Sequence, residues 1–219
     1  MSFKMQRHTL LKYEGTAEEV IIPDGVKEIG ERAFSFNNTV KHVWIPDGVE
    51  TIDRYAFSYN ESLESVRLPE SLTRIGSNAF SGCYSLKSMT IPGSVKLIDA
   101  YTFYKCRSLE EIILQEGVEN IYEYAFWYCS SLRIFRFFRV LNFVSSRAFF
   151  CCDKLKKVDL NGKLYYVRGV KDDDDIPLTV WEIANSLRPI DPVPYDSQPF
   201  PAGYPYMDEF EYLNSGGED

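Results

Sequence analysis

Large apolar side chains return along this chain at one fixed interval. Phenylalanine falls at Phe34, Phe57, Phe80, Phe103, Phe126 and Phe149, and every step is 23 residues. Alanine precedes five of the six, and Thr102 takes its place once. Other columns keep the same step: Ile22, Ile45, Leu68, Ile91, Leu114, Phe137; Val26, Val49, Leu72, Val95, Val118, Leu141; Ile29, Ile52, Ile75, Ile98, Ile121, Val144; and Val40, Leu63, Leu86, Leu109, Leu132, Leu155. A unit of this size cannot bury its own apolar face. Stacked copies bury a continuous one, so the pattern predicts a solenoid of six repeats.

Each unit carries its own elements. Alternation of apolar and polar positions through Leu63, Val66 and Leu68, and through their equivalents, predicts a short strand. Proline follows at Pro23, Pro46, Pro69 and Pro92 and ends it, having no N–H for a ladder; Gln115 and Phe138 stand there later. Gly25, Gly48, Ser71, Ser94 and Gly117 suit the turn beyond. A second extended segment then runs to the Ile29 column, and the Ala-Phe stretch turns the chain back. At about 4.8 Å per coil, six coils make a body roughly 30 Å long.

These residues resemble the BspA-type leucine-rich repeat family. The resemblance rests on SLKSMTIPGSVKLIDAYTFYKC (Ser85–Cys106) and its five siblings, and on the entry segment LLKYEGTAEEVIIP (Leu10–Pro23); it covers roughly residues 10–160. It implies a right-handed leucine-rich-repeat coil, mostly β with some α+β character, closed by N- and C-terminal caps. In function it implies surface adhesion or host binding. The expected organisation is a cap over 1–19, the solenoid over 20–160, a second cap over 161–187 and a tail over 188–219.

Composition narrows the function classes. A net charge of −8 argues against nucleic acid as a partner. Residues 1–19 carry no apolar run of the signal-peptide kind, and no stretch approaches the roughly 20 apolar residues of a membrane span. The expected location is cytoplasmic, or secreted or cell-surface if an export signal has been removed. The two histidines, His8 and His42, and the lack of a nucleophile or phosphate-binding motif predict no enzyme and no cofactor.

Three residues after each Phe the column reads Asn37, Asn60, Cys83, Cys106, Cys129, Cys152. A buried polar side chain there is expected to satisfy turn backbone groups. A metal site is rejected, because four sulfurs strung over about 14 Å cannot converge on one ion. Adjacent thiols lie within disulfide range, but their parallel direction and the odd count of five favour reduced cysteines. Cys151 falls outside the column.

Function is expected where columns face solvent. Glu18, Lys41, Glu64, Lys87, Glu110, Arg133 and Lys156 alternate in sign until the last step, a solvated face that fixes register. Ile21, Trp44, Arg67, Thr90, Ile113, Arg136 and Asp159 mix apolar, aromatic and Arg residues as protein interfaces do. With His42 and Glu111 beside them, Trp44, Arg67, Ile113 and Arg136 form a first candidate partner face; scattered apolar surface residues are the alternative. A second candidate is an aromatic patch of Tyr55, Tyr101, Tyr104, Tyr122, Tyr124, Trp127, Tyr128 and Phe150, where small residues such as Ser35, Ser58 and Ser81 give way to large rings. A partner protein, a second copy of the chain, or the tail are its candidate covers.

The C-terminal third departs from the pattern. Residues 161–170 predict a last hairpin, Asp172–Asp175 a solvated acidic loop, and Pro177–Leu187 a helix. Residues 188–219, with six Pro, seven acids and one base, form no independent core. The sequence thus predicts a non-enzymatic module for binding an unidentified protein, without nucleic acid or membrane insertion. Self-association through the aromatic patch or tail stays open. So does the alternative of a cell-surface adhesin or structural protein whose export signal is missing from this chain.

Overall fold

The computed structural model describes residues 2–139 and 141–166. Expectations for Asp172–Asp175, for a helix over 177–187 and for the tail lie outside them. The strands run β1 (Phe3–Gln6), β2 (Thr9–Tyr13), β3 (Glu19–Ile21), β4 (Glu28–Ile29), β5 (His42–Trp44), β6 (Thr51–Ile52), β7 (Ser65–Arg67) and β8 (Arg74–Ile75). They continue as β9 (Ser88–Ile91), β10 (Leu97–Ile98), β11 (Glu111–Leu114), β12 (Asn120–Ile121), β13 (Ile134–Phe137), β14 (Phe143–Val144), β15 (Lys157–Leu160) and β16 (Lys163–Tyr166). The described residues contain no helix.

Odd-numbered strands from β3 to β15 form one side of a β-solenoid of about seven turns, and even-numbered strands from β4 to β14 form another. Coils are numbered from β3–β4 as coil 1, and successive strands within each sheet pair in parallel in unshifted register, as in Val20↔Val43 and Val43↔Val66; among the described residues no strand of coil 3 pairs with one of coil 4. The seventh rung, β15, follows the six counted repeats and pairs with β13. Antiparallel partners stand at both ends: β1 on β2, and β16 on β15 through a turn with Asn161 and Gly162 at positive φ.

The predicted columns are the core. Phe34, Phe57, Phe80, Phe103 and Phe126 are fully buried, and with Phe149 they stack at centroid spacings of 4.8, 5.2, 5.5, 5.3 and 5.0 Å. Tyr13 continues the stack 5.0 Å beyond Phe34. It lies 21 residues before Phe34, so a strict 23-residue count misses it.

The Ala-Phe stretch is an arch with its own ladder. Alternate N–H groups donate to the next coil, as Arg32, Phe34 and Phe36 do to the carbonyls of Arg54, Ala56 and Ser58. The intervening ones close turns within the coil, as Ala33 does to Gly30 and Ser35 to Arg32. This alternation needs left-handed backbone at two positions per arch. One column is Arg32, Tyr55, Asn78, Tyr101 and Tyr124; the other is Phe36, Tyr59, Gly82, Lys105, Tyr128 and Cys151. Each non-glycine residue there costs roughly 1–2 kcal/mol, which the inter-coil bonds and the buried Phe offset.

Candidate functional site

The polar column beneath the arch has a defined job. The thiols of Cys83, Cys106, Cys129 and Cys152 each donate to the carbonyl of the Phe 26 residues earlier, all at 3.1 Å. Asn60 Nδ2 does the same to the Phe34 carbonyl at 2.6 Å and also reaches the Phe57 carbonyl at 3.0 Å. Burial pushes the thiols of Cys83, Cys106 and Cys129 well up from their ordinary range, so they stay protonated donors. Asn60 fits less well, since its buried Oδ1 has no hydrogen-bond partner. Cys151 is half-buried outside this column.

The alternating charges pair across coils: Lys41 with Glu18 at 2.8 Å, Lys87 with Glu64, and Arg133 with Glu110. Hydrogen bonding to Glu18 raises the Lys41 ammonium, and hydrogen bonding from Lys87 lowers the Glu64 carboxyl. These exposed pairs set register more than stability. A second set on the short-strand side, absent from the sequence reading, joins Lys27 to Glu50, Arg54 to Glu31 and Arg74 to Asp53.

The predicted strand face divides in two. His42, Trp44 and Arg67 stand exposed together on β5 and β7. His42 Nδ1 lies 2.9 Å from Ser65 Oγ, and the Arg67 guanidinium sits 4.0 Å from the Trp44 ring centroid. Among the described residues Arg67 makes no ion pair, and Ile21 extends the exposed row on β3 with 62% of its surface open. Glu111, Ile113 and Arg136 lie on β11 and β13 and are half-buried. Arg136 there is neutralised, by Asp159 at 2.9 Å and Glu111 at 3.9 Å. The Arg67 charge is thus open beside the exposed Trp44 and Ile21, whereas Arg136 is neutralised and Ile113 half-buried, with Ile134 exposed on β13.

The aromatic residues divide as well. Trp127 gathers Tyr124 at 4.9 Å, Tyr104 at 5.0 Å, Tyr128 at 5.2 Å and Tyr101 at 6.4 Å. Tyr101 and Tyr124 stack at 5.2 Å, with Arg147 over Tyr124 and Lys105 over Tyr104. The Trp127 Nε1–H is buried and has no acceptor among the described residues. Tyr122 belongs elsewhere, edge-on to Phe143 just after β12. Tyr55 sits under Arg32 near the other end of the solenoid, and Phe150 is exposed on coil 6, one coil beyond Trp127. Sequence reasoning missed Phe36 and Tyr59, which stack at 5.2 Å; the only signal was their shared 23-residue step. Ser35, Ser58 and Ser81 are buried, so the small residues of that column fill the interior side of the arch.

Six copies of the BspA-type leucine-rich repeat region match residues 9–133 and 50–169. The chain belongs to the BspA-type leucine-rich repeat family. The matched residues take in all seven rungs of the solenoid, β3 to β15. A leucine-rich cell surface protein from Faecalibacterium prausnitzii A2-165 is 30% identical, with a TM-score of 0.57, over 59% of this chain and 35% of that one. The chain therefore spans about a third of that protein's length. The T. pallidum leucine-rich repeat protein TpLRR is 27% identical, with a TM-score of 0.55, over 67% of this chain and 82% of that one. A leucine-rich repeat protein from Eubacterium ventriosum shares the fold at 22% identity and a TM-score of 0.60, over 70% of this chain and 44% of that one. No curated protein matches the chain. No helix among the described residues is long and apolar enough to cross a membrane.

Proposed function

We propose that this BspA-type repeat protein is a non-enzymatic protein-interaction module, and that its partner docks on the outward strand face of the first three coils. The observation that carries this is the Trp44–Arg67 pair. A large exposed ring and a guanidinium without a counter-ion among the described residues stand side by side on a parallel ladder, with Ile21 and His42 beside them. Trp and Arg dominate the energetics of protein interfaces, and sheet-borne residues lose little entropy on binding. The neutralised Arg136 and the half-buried Ile113 are the flank of this surface rather than its centre.

A partner complex is expected to weaken at least about tenfold with Trp44→Ala and Arg67→Glu combined, while the unfolding midpoint stays unchanged. Unchanged affinity by calorimetry excludes the site. A second reading, a cell-surface adhesin, is favoured by the 30% identity to a bacterial cell surface protein. Protease treatment of intact cells separates the two locations: digestion of the protein places it outside, and protection places it inside.

A further inference from the structure

Both strand sides are interrupted at the same coil boundary. One sheet orders β3-β5-β7 and stops; β9-β11-β13-β15 begins anew. On the short-strand side the pairing ends at β8 and resumes at β10. The inter-coil donors show the gap residue by residue. Along one column Glu50 donates to Lys27 and Thr73 to Glu50; the bond expected from Lys96 to Thr73 is missing, and the series resumes with Glu119 to Lys96. Leu97, Ser88 and Leu68 likewise lack the inter-coil bonds that Arg74, Ser65 and Ile45 make in earlier coils.

The core opens there too. In the column Ile22, Ile45, Leu68, Ile91, Leu114, Phe137 and Leu160, Leu68 is the one member that is not buried. Val66 is the most exposed member of its own column, at 8%. A cleft of about 260 Å³ separates β7 from β9, floored by Val66 and Met89 and rimmed by Arg67, Thr90 and Gln115.

The arch crosses the same boundary unbroken. Asn78, Phe80 and Gly82 donate to the carbonyls of Ala100, Thr102 and Tyr104 at 3.3, 2.9 and 2.7 Å. The Phe80–Phe103 spacing is nevertheless the widest in the stack. Outside the arch the links are the Glu64–Lys87 ion pair with the Lys87 N–H to Glu64 O bond, Ser94 Oγ to the carbonyls of Glu70 and Leu72, the Ser108 N–H to the Tyr84 carbonyl, and an exposed bond from Gln115 Nε2 to Glu70 Oε1 at 3.3 Å. On its other side, the coil 4 turn packs closely on coil 5. A Cβ on Gly93 would sit 1.9 Å from the Glu116 carbonyl oxygen. Gln115, standing where earlier coils have Pro, accepts the Gly93 N–H at 3.3 Å. Only glycine allows so close a backbone approach, and it fastens the coil 4 turn to coil 5.

We infer that the boundary between coils 3 and 4 is a hinge, with the arch as its pivot and the β7–β9 cleft as its opening side. Two stiff blocks, coils 1–3 and coils 4–7, rotate about it. The rotation sets the distance between Trp44 and Arg67 on one block and Ile113 and Arg136 on the other. The inference rests on the hydrogen-bond ladder and stands whether or not the strand face binds a partner.

Residue-resolved hydrogen exchange by NMR on the full chain tests it. The amides of Leu68, Ser88, Lys96 and Leu97 are expected to exchange at least about tenfold faster than those of Ile45, Ser65, Thr73 and Arg74. The arch amides of Phe80 and Gly82 are expected to stay as protected as those of Phe57 and Tyr59. Equal protection of the two strand sets overturns the hinge. Fast exchange that includes Phe80 and Gly82 also overturns it, because that is coil opening without a pivot.

Discussion

Replacing Asn60 by Cys is expected to stabilise the protein. In the native chain Asn60 Nδ2 makes two bonds, to the carbonyls of Phe34 and Phe57, while Oδ1 is buried without a partner. A buried acceptor left unmade costs about 1–3 kcal/mol, and one neutral hydrogen bond contributes about 0.5–1.5 kcal/mol. The thiols of the next four coils make the bond equivalent to Asn60–Phe34 and carry no acceptor to orphan. The Phe57 carbonyl, losing Nδ2, keeps bonds from the Cys83 thiol at 3.1 Å and the Asn60 N–H at 3.3 Å. The balance favours Asn60→Cys by about 1 kcal/mol, a rise of about 2–4 °C in Tm for a chain of this size. Urea unfolding under reducing conditions reads the difference. The reverse swap, Cys83→Asn, is expected to destabilise by a similar amount. A loss of about 1 kcal/mol or more for Asn60→Cys refutes the assignment of Oδ1 as unsatisfied.

Gly82→Ala is expected to cost about 2 kcal/mol in the same assay, because φ is +73° and the added Cβ meets the Tyr59 ring at 2.8 Å. In native protein at pH 8, Ellman's reagent is expected to titrate no thiol besides Cys151, and all five after denaturation; rapid native reaction at two or more refutes the buried donor role. The raised thiols of Cys83, Cys106 and Cys129 bind protons in the native state that the unfolded chain releases above its ordinary value of 9.0. Their stabilisation is therefore complete below pH 9 and lost as pH rises above it, and a flat stability profile from pH 8 to 10.5 contradicts this.

The repeating columns were legible because each coil repeats the same test. Ile22, Val26, Ile29 and Phe34 are buried where the pattern put them, and the alternating Glu18–Lys41 series pairs across coils. Positions around the arch were less legible. Left-handed backbone at Lys105 or Tyr128 follows from the hydrogen-bond alternation, not from residue type. A shared period fixes which coil a residue occupies but not its angle around the coil. Tyr122 was therefore grouped with Trp127 although it packs on Phe143 beside β12. The interruption between β7 and β9 escaped for another reason: each coil keeps its core residues, and the departure lies in how the Gly93 turn meets Glu116.

The most direct test of the partner surface is site-specific photo-crosslinking in cells that make the protein. A benzophenone amino acid at position 44 is expected to capture one protein, and excess purified wild-type chain is expected to compete it away. The same probe at Thr73, on the short-strand side, is expected to capture nothing above background. Capture from Tyr128 on the arch but not from position 44 contradicts the account and moves the interface to the Trp127 cluster.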